Sequence, residues 1–105
     1  MGNQNGLLET LIAAELERAR AMHGPTYASH NEAFGVLYEE MQETRDEVRA
    51  LRQYAEHLCR YVRADDTAGM VDALKVIRKT ALNAASEAIQ VAAVCSKWME
   101  GEKDA

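Results

Sequence analysis

Oxygen-bearing side chains recur at helical spacing in two stretches of this chain. The first stretch carries Glu40, Glu43 and Glu47, and the second, "SEAIQVAAVC", carries Glu87 and Gln90. Residues three or four positions apart share one face of a helix, so each stretch would present its oxygen atoms together. A small set of such ligands suits Mg²⁺ or Mn²⁺, which can activate water beside a polyphosphate. The first hypothesis is therefore a carboxylate metal site.

Two long helices must position these side chains. Apolar or small residues at alternating steps of three and four predict one helix from about His30 to Arg63 and another from about Ala68 to Met99. A turn near Asp66 would fold the two helices into an antiparallel hairpin. That register puts Glu43 opposite about Ile89, so the two carboxylate stretches should lie at the same height.

The carboxylates also lie beside the predicted apolar seams of the hairpin. On the second helix the seam includes Met41 and Val48, and Glu40 and Glu47 directly precede them. Glu87 precedes a seam alanine of the third helix in the same way. Register and seam position are separate features, and both predict that the two stretches face each other.

A shorter helix completes the predicted fold. It runs from about Leu7 to Met22, and Gly24 and Pro25 should end it. With six glycines and one proline in 105 residues, the composition favours helix throughout. We expect a single all-α domain over residues 1–105, in which three helices include a long antiparallel hairpin.

The third helix carries a second apolar row, through Leu82, Ile89 and Met99. A helix that is apolar on two sides needs two partners, and the short first helix covers one side. We therefore expect a bundle completed by oligomerisation, as a homodimer or a homotetramer.

Net charge, apolar runs and cysteine content indicate which partners and which cellular location to expect. The net charge of −5 argues against a nucleic-acid partner, whose recognition needs basic patches. No apolar run approaches the roughly 20 residues of a membrane span, so no membrane partner is expected. The first residues lack the basic start of a signal peptide, and Cys59 and Cys95 are too few for a secreted scaffold. These features predict a cytoplasmic protein.

Three further polar residues are candidates for binding substrate. Lys97 lies one heptad beyond Gln90 and could meet a phosphate, or could interact with the dipole of its helix at the C-terminal end. Lys79 belongs to a basic cluster that could attract a triphosphate or simply be solvated. Asn83 could contact a base or sugar, or could orient Glu87.

The glutamates are also consistent with a protein that has no catalytic activity. Glu40, Glu43 and Glu47 resemble a solvated helix face, with Arg45 and Arg49 nearby for pairing along the helix. On that reading the chain is a non-catalytic helical oligomerisation or partner-binding protein.

The two motif helices resemble those of the all-α nucleoside triphosphate pyrophosphohydrolases, the MazG-like group. "HNEAFGVLYEEMQETRDEV" is similar to the family's first motif helix, "EExxE", and "SEAIQVAAVCSKWME" is similar to its second, "ExxD" or a variant. The resemblance covers about half of the chain. It implies Mg²⁺-dependent (or Mn²⁺-dependent) hydrolysis of a (deoxy)nucleoside triphosphate to the monophosphate and pyrophosphate.

Carried over by position, the resemblance assigns roles to these residues. It makes Glu40, Glu43 and Glu87 metal ligands, and it gives Glu47 an outer role such as positioning the attacking water. Gln90 stands where the family usually has an acidic residue. Its amide oxygen can still be a ligand, but the lost negative charge should weaken metal binding.

Overall fold

The computed structural model describes the backbone of residues 2–104 and the side chains of residues 5–102. It contains three α-helices, α1 (Gly2–His23), α2 (His30–Arg63) and α3 (Thr67–Asp104). The predicted all-α fold of three packed helices is confirmed. Helix α2 has the predicted bounds, whereas α1 begins earlier and α3 ends later than predicted. No proline interrupts either helix there, so the helical backbone continues through polar residues.

The connection between α1 and α2 uses the predicted cap residues. Gly24 has a φ of 88°, a left-handed conformation that favours glycine, and its N–H donates to the carbonyl oxygen of Arg20 at 2.9 Å. Ser29 Oγ accepts a hydrogen bond from the N–H of Glu32 at 3.1 Å, which is the expected N-cap. The Glu32 carboxylate reaches back one residue further than in a regular capping box, to the N–H of Ala28 at 3.3 Å.

The turn between α2 and α3 is short and closely packed. Asp65 has a φ of 53°, and the N–H of Asp66 donates to the carbonyl oxygen of Tyr61 at 2.9 Å. The carboxylate of Asp66 then accepts from the N–H of Gly69 at 3.0 Å, so Asp66 caps α3. A Cβ at Gly69 would overlap the ring of Tyr61, so any larger residue here requires that ring to move.

Contacts within the chain divide it into two compact units. Unit 1 combines Met1–Met41 with Glu87–Ala105, and unit 2 is Gln42–Ser86. Unit 1 therefore contains α1, the first part of α2 and the second part of α3. Unit 2 is the hairpin formed by the remaining parts of α2 and α3. The single domain predicted over 1–105 stays a prediction.

The core of unit 1 lies where its three helices meet. Its buried apolar residues are Leu16 from α1, Ala33 from α2 and Ala93 from α3. The two alanines have small side chains, which permit close approach of the helix backbones. Arg20 also forms an ion pair with Glu100, which joins α1 to α3.

The packed stripe of unit 2 coincides with the predicted seam at alternate positions, such as Thr44, Leu51 and Ile77, and at the positions between them the preceding residue packs instead. Val48 is 46% exposed, whereas its neighbour Glu47 is half-buried. On α3, Leu74 is 52% exposed and Ala73 is half-buried. Branched apolar residues such as Leu51 and Ile77 remain in the contact. The stripe comprises Thr44, Glu47, Leu51, Tyr54 and Leu58 on α2, and Met70, Ala73, Ile77, Thr80 and Ala84 on α3.

None of the helices over the described residues combines the length and the apolar character that crossing a membrane requires.

Candidate functional site

Three of the predicted metal ligands lie together. Glu40, Glu43 and Glu87 each offer a carboxylate oxygen, and these three atoms lie within 4.8 Å of one another. Glu40 and Glu43 are one turn apart on α2, and Glu87 comes from α3. We call these three residues the carboxylate cluster. The hydrogen bond between His30 and Glu102 shows that the two helices run antiparallel in unit 1, as the register required.

Burial strengthens the electrostatic repulsion among the three carboxylates of this cluster. Glu40 and Glu87 are half-buried, Glu43 is exposed, and the Oε2 atoms of Glu40 and Glu87 are shielded from solvent. Carboxylates this close repel one another, and the repulsion strengthens as water is excluded. Protonation of a carboxylate or binding of a cation would reduce this repulsion.

The spacing of the carboxylate cluster fits a small divalent cation. Oxygen ligands of Mg²⁺ lie about 2.0–2.1 Å from the ion, so ligands of one ion are roughly 3–4 Å apart. The separation of at most 4.8 Å between the three oxygen atoms is near that range, and small side-chain rotations would close the difference. Oxygen donors of this kind are those that Mg²⁺ and Mn²⁺ prefer.

A cavity in unit 1 joins Glu40 to Gln90 and Lys97. It has a volume of about 330 Å³, and we call it the Glu40 pocket. Gln90, half-buried on α3, therefore lines the same cavity as one of the clustered carboxylates. The lining residues of the Glu40 pocket are Glu15, Arg18, Ala19, His23, Tyr27, Glu32, Val36, Glu40, Gln90, Ala93, Val94 and Lys97.

Lys97 is buried within the fold. Only 3% of the residue is exposed, and its Nζ lies 4.2 Å from the centroid of the Tyr27 ring, which is a cation–π contact. Since α3 continues to Asp104, Lys97 lies well before the last turn, to which the effect of the helix dipole is confined. Lys97 therefore lies away from the helix end, and its predicted contact with phosphate stays a prediction.

The ring of Tyr27 contacts Lys97, and its phenol is influenced by the charges of nearby carboxylates. Burial raises the pKa of the Tyr27 phenol, and the negative charges of Glu32 and Glu40 raise it further. The phenol therefore stays protonated at neutral pH and remains a hydrogen-bond donor in the wall of the Glu40 pocket.

The remaining predicted site residues lie in unit 2. Glu47 is half-buried one turn beyond Glu43 on α2, in a position consistent with an outer role. Lys79 and Asn83 are exposed on α3, and neither belongs to the residues that line the Glu40 pocket. Their predicted contacts with substrate stay predictions.

Sequence reasoning missed the contribution of α1 to the pocket. Arg18 forms a hydrogen-bonded ion pair with Glu15, in which Nε donates to Oε2 at 3.0 Å, and both residues line the Glu40 pocket. The hydrogen bond and charge of Arg18 lower the pKa of Glu15, although burial acts in the opposite direction. The signal available in the sequence was a Glu and an Arg three positions apart on the helix that packs against the motif helices.

No protein-family model, curated protein or solved structure matches this chain. The function must therefore be inferred from the geometry of the carboxylate cluster and the pocket beside it.

Proposed function

We propose that this protein is a Mg²⁺-dependent nucleoside triphosphate pyrophosphohydrolase of the MazG-like kind. The observation that carries the proposal is the carboxylate cluster, in which two helices bring three carboxylate oxygens within 4.8 Å of one another. The shielding of Glu40 and Glu87 oxygens from solvent supports it, because clustered and partly dry carboxylates are stabilised by a cation.

The carboxylate cluster and Lys97 would divide the work between metal and phosphate. Glu40, Glu43 and Glu87 would hold the metal, and Gln90 lines the same pocket as Glu40. When bound, Mg²⁺ supplies a water of lowered pKa and a counter-charge for the triphosphate. Lys97 supplies a fixed positive charge in the same pocket, which favours the negative charge that develops on the phosphate oxygens.

Exposed apolar side chains support a homo-oligomer, either a dimer or a tetramer. The accessible surface is 7703 Å², whereas a folded monomer of this size is expected to expose about 5,900 Å². The excess of about 1,800 Å² per chain is about twice the ~800 Å² that each partner buries in a standard protein interface. We place this oligomer in the cytoplasm, where its free thiols, Cys59 and Cys95, stay reduced.

An assay of pyrophosphate release tests the activity. The purified protein is incubated with Mg²⁺ and each dNTP, and products are measured with and without EDTA. We expect turnover with Mg²⁺ alone, and we expect Glu43→Gln to reduce it at least about 100-fold while the oligomer persists. Glu56→Gln, an exposed substitution elsewhere on α2, is the matched control and should retain activity.

A non-catalytic oligomerisation or partner-binding protein is the second candidate. The observation that favours it is the set of large apolar side chains left exposed, such as Phe34, Met41 and Leu74. This candidate predicts no turnover of any nucleotide and no thermal shift on adding Mg²⁺. Either turnover or a Mg²⁺-dependent shift that Glu43→Gln abolishes excludes it.

A further inference from the structure

Lys97 and Tyr27 separate two cavities of unit 1. Besides the Glu40 pocket, a second cavity of about 520 Å³ lies against the same two side chains. We call it the Trp98 pocket. Because Lys97 and Tyr27 line both cavities, a molecule that occupied both would lie beside these two side chains. The lining residues of the Trp98 pocket are Thr26, Tyr27, Ala28, Ser29, His30, Lys97, Trp98, Gly101 and Glu102.

The Trp98 pocket has the chemistry to receive a planar polar ring. The rings of His30 and Trp98 have centroids 6.1 Å apart and are tilted by 40°. Glu102 Oε1 orders both of them, since it lies 2.6 Å from His30 Nε2 and accepts from Trp98 Nε1 at 3.3 Å. Aromatic faces stack on nucleobases, and the hydroxyl of Ser29 offers a donor or acceptor at the rim.

The Glu40 pocket has the chemistry of the other end of a nucleotide. Arg18 and Lys97 provide positive charge for phosphate oxygens. Glu40 and Gln90 provide oxygen ligands for the divalent cation that accompanies a triphosphate. Glu15 and Glu32 also line this pocket, so its carboxylates outnumber Arg18 and Lys97, and a triphosphate would bind there together with its divalent cation.

We propose that a nucleoside triphosphate binds across this shared wall, with its base and sugar in the Trp98 pocket and its triphosphate in the Glu40 pocket. Lys97 lies where the chain of phosphates begins and forms an ion pair with it. This orientation rests on the proposed function for the identity of the ligand, but it concerns binding and is measured without turnover.

The intrinsic fluorescence of Trp98 reports on one pocket selectively, because it is the only tryptophan in the chain. We would titrate the protein, in Mg²⁺, with the α,β-imido analogues of the four dNTPs, which resist the proposed cleavage. Tripolyphosphate is the comparison ligand without a base. At least one analogue should quench Trp98 on saturation, whereas tripolyphosphate should bind, as measured by calorimetry, with little quenching.

Two substitutions separate the pockets. A Cβ at Gly101 would lie 3.4 Å from Cγ2 of Thr26, so the larger side chain of Gly101→Val projects into the Trp98 pocket. It should weaken analogue binding at least tenfold and leave tripolyphosphate affinity within twofold. Lys97→Met should weaken both ligands at least tenfold, and the exposed Lys75→Met is its matched control.

The outcomes distinguish this orientation from the proposed activity. Analogue binding with the expected pattern but no hydrolysis of dNTPs would support the orientation and reject the activity. Equal quenching by tripolyphosphate, equal loss of both ligands in Gly101→Val, or no binding of any analogue would overturn the orientation. If Gly101→Val does not fold by circular dichroism, Glu102→Gln, which disturbs the exposed edge of the same pocket, replaces it.

Discussion

Unit 1 and unit 2 are built from the same two long helices, yet they differ in what they bury. Unit 1 buries an apolar residue from each of its three helices, whereas in unit 2 Thr80 is the one buried side chain among the described residues. Its hydroxyl donates to the carbonyl oxygen of Val76 at 2.9 Å, so even this residue is satisfied within its own helix. Two helices cannot enclose a core, and α1 makes the difference in unit 1.

The two units also differ in how exposed their candidate polar residues are. In unit 1, α1 and the α1–α2 loop close the pockets around Lys97, and a cation held away from water acts strongly on a ligand. In unit 2 the predicted substrate residues Lys79 and Asn83 are exposed, where water and salt screen their charges and dipoles. Lys97 of unit 1 is therefore better shielded from water than Lys79 and Asn83 of unit 2.

The largest expected effect is on activity and compares one glutamate from each unit. Glu40→Gln, in unit 1, should lower kcat/KM for the preferred dNTP at least about 100-fold, because it removes a metal ligand. Glu47→Gln, in unit 2, should lower it about tenfold, as expected for an outer group that orients water or a ligand. Steady-state kinetics at saturating Mg²⁺ would measure both. Equal losses would contradict the distinction between Glu40 as a metal ligand and Glu47 as an outer group.

The next largest effect is on the free energy of unfolding and compares the packing within the two units. Ala33 is fully buried in unit 1, so Ala33→Leu should overpack the meeting point of the three helices and lower the free energy of unfolding by about 1–3 kcal/mol. Ala55→Leu, on the exposed side of α2 in unit 2, should change it by less than about 0.5 kcal/mol. Urea unfolding followed by circular dichroism measures the difference. A destabilisation by Ala55→Leu as large as that by Ala33→Leu would show that unit 2 is also tightly packed.

Replacing one glycine in each unit by alanine compares the effects of single contacts on stability. Gly69→Ala, in unit 2, forces the ring of Tyr61 to move and should destabilise by roughly 1–2 kcal/mol after the gain in helix propensity. Gly35→Ala, in unit 1, meets nothing within 4 Å and should stabilise by about 0.5–1 kcal/mol. Thermal unfolding of both variants checks the opposite signs, and stabilisation by Gly69→Ala would contradict the close packing at the turn.

The smallest effect concerns the ion pair on α1. Arg18 lowers the pKa of Glu15 below its ordinary value of 4.5, so the charged carboxylate favours the folded state. That contribution is complete above the ordinary pKa and is lost as the pH falls through the lowered one. Glu15→Gln should therefore lower Tm slightly at pH 7, and the difference should shrink in acid below pH 4.5. Arg18→Met should reproduce this pattern, and a constant difference between pH 7 and pH 3 would refute it.

Much of the fold was predictable because its determinants are local. Apolar periodicity identified α2 from His30 to Arg63, and the caps at Gly24 and Ser29 were read from single residues. The proximity of Glu40 to Glu87 was also predictable, since one turn position and the rise of a helix set the register of a hairpin.

The rest depended on contacts between distant segments. Heptad spacing alone cannot say which of two adjacent positions enters the contact, so Val48 was predicted in the seam and Glu47 packs there instead. The part that Arg18 and Tyr27 play in the pocket was likewise missed, because they lie on α1 and in its connection to α2, outside both motifs.

By itself the sequence determined three helices, their caps and the height at which the carboxylates meet, because these follow from neighbouring residues and a regular rise. Only the tertiary structure decided that Lys97 is buried against Tyr27 between two cavities. Burial depends on which segment covers which, and here α1 and its loop cover the end of α3. That enclosure turns an ordinary lysine on a helix into a candidate anchor for phosphate.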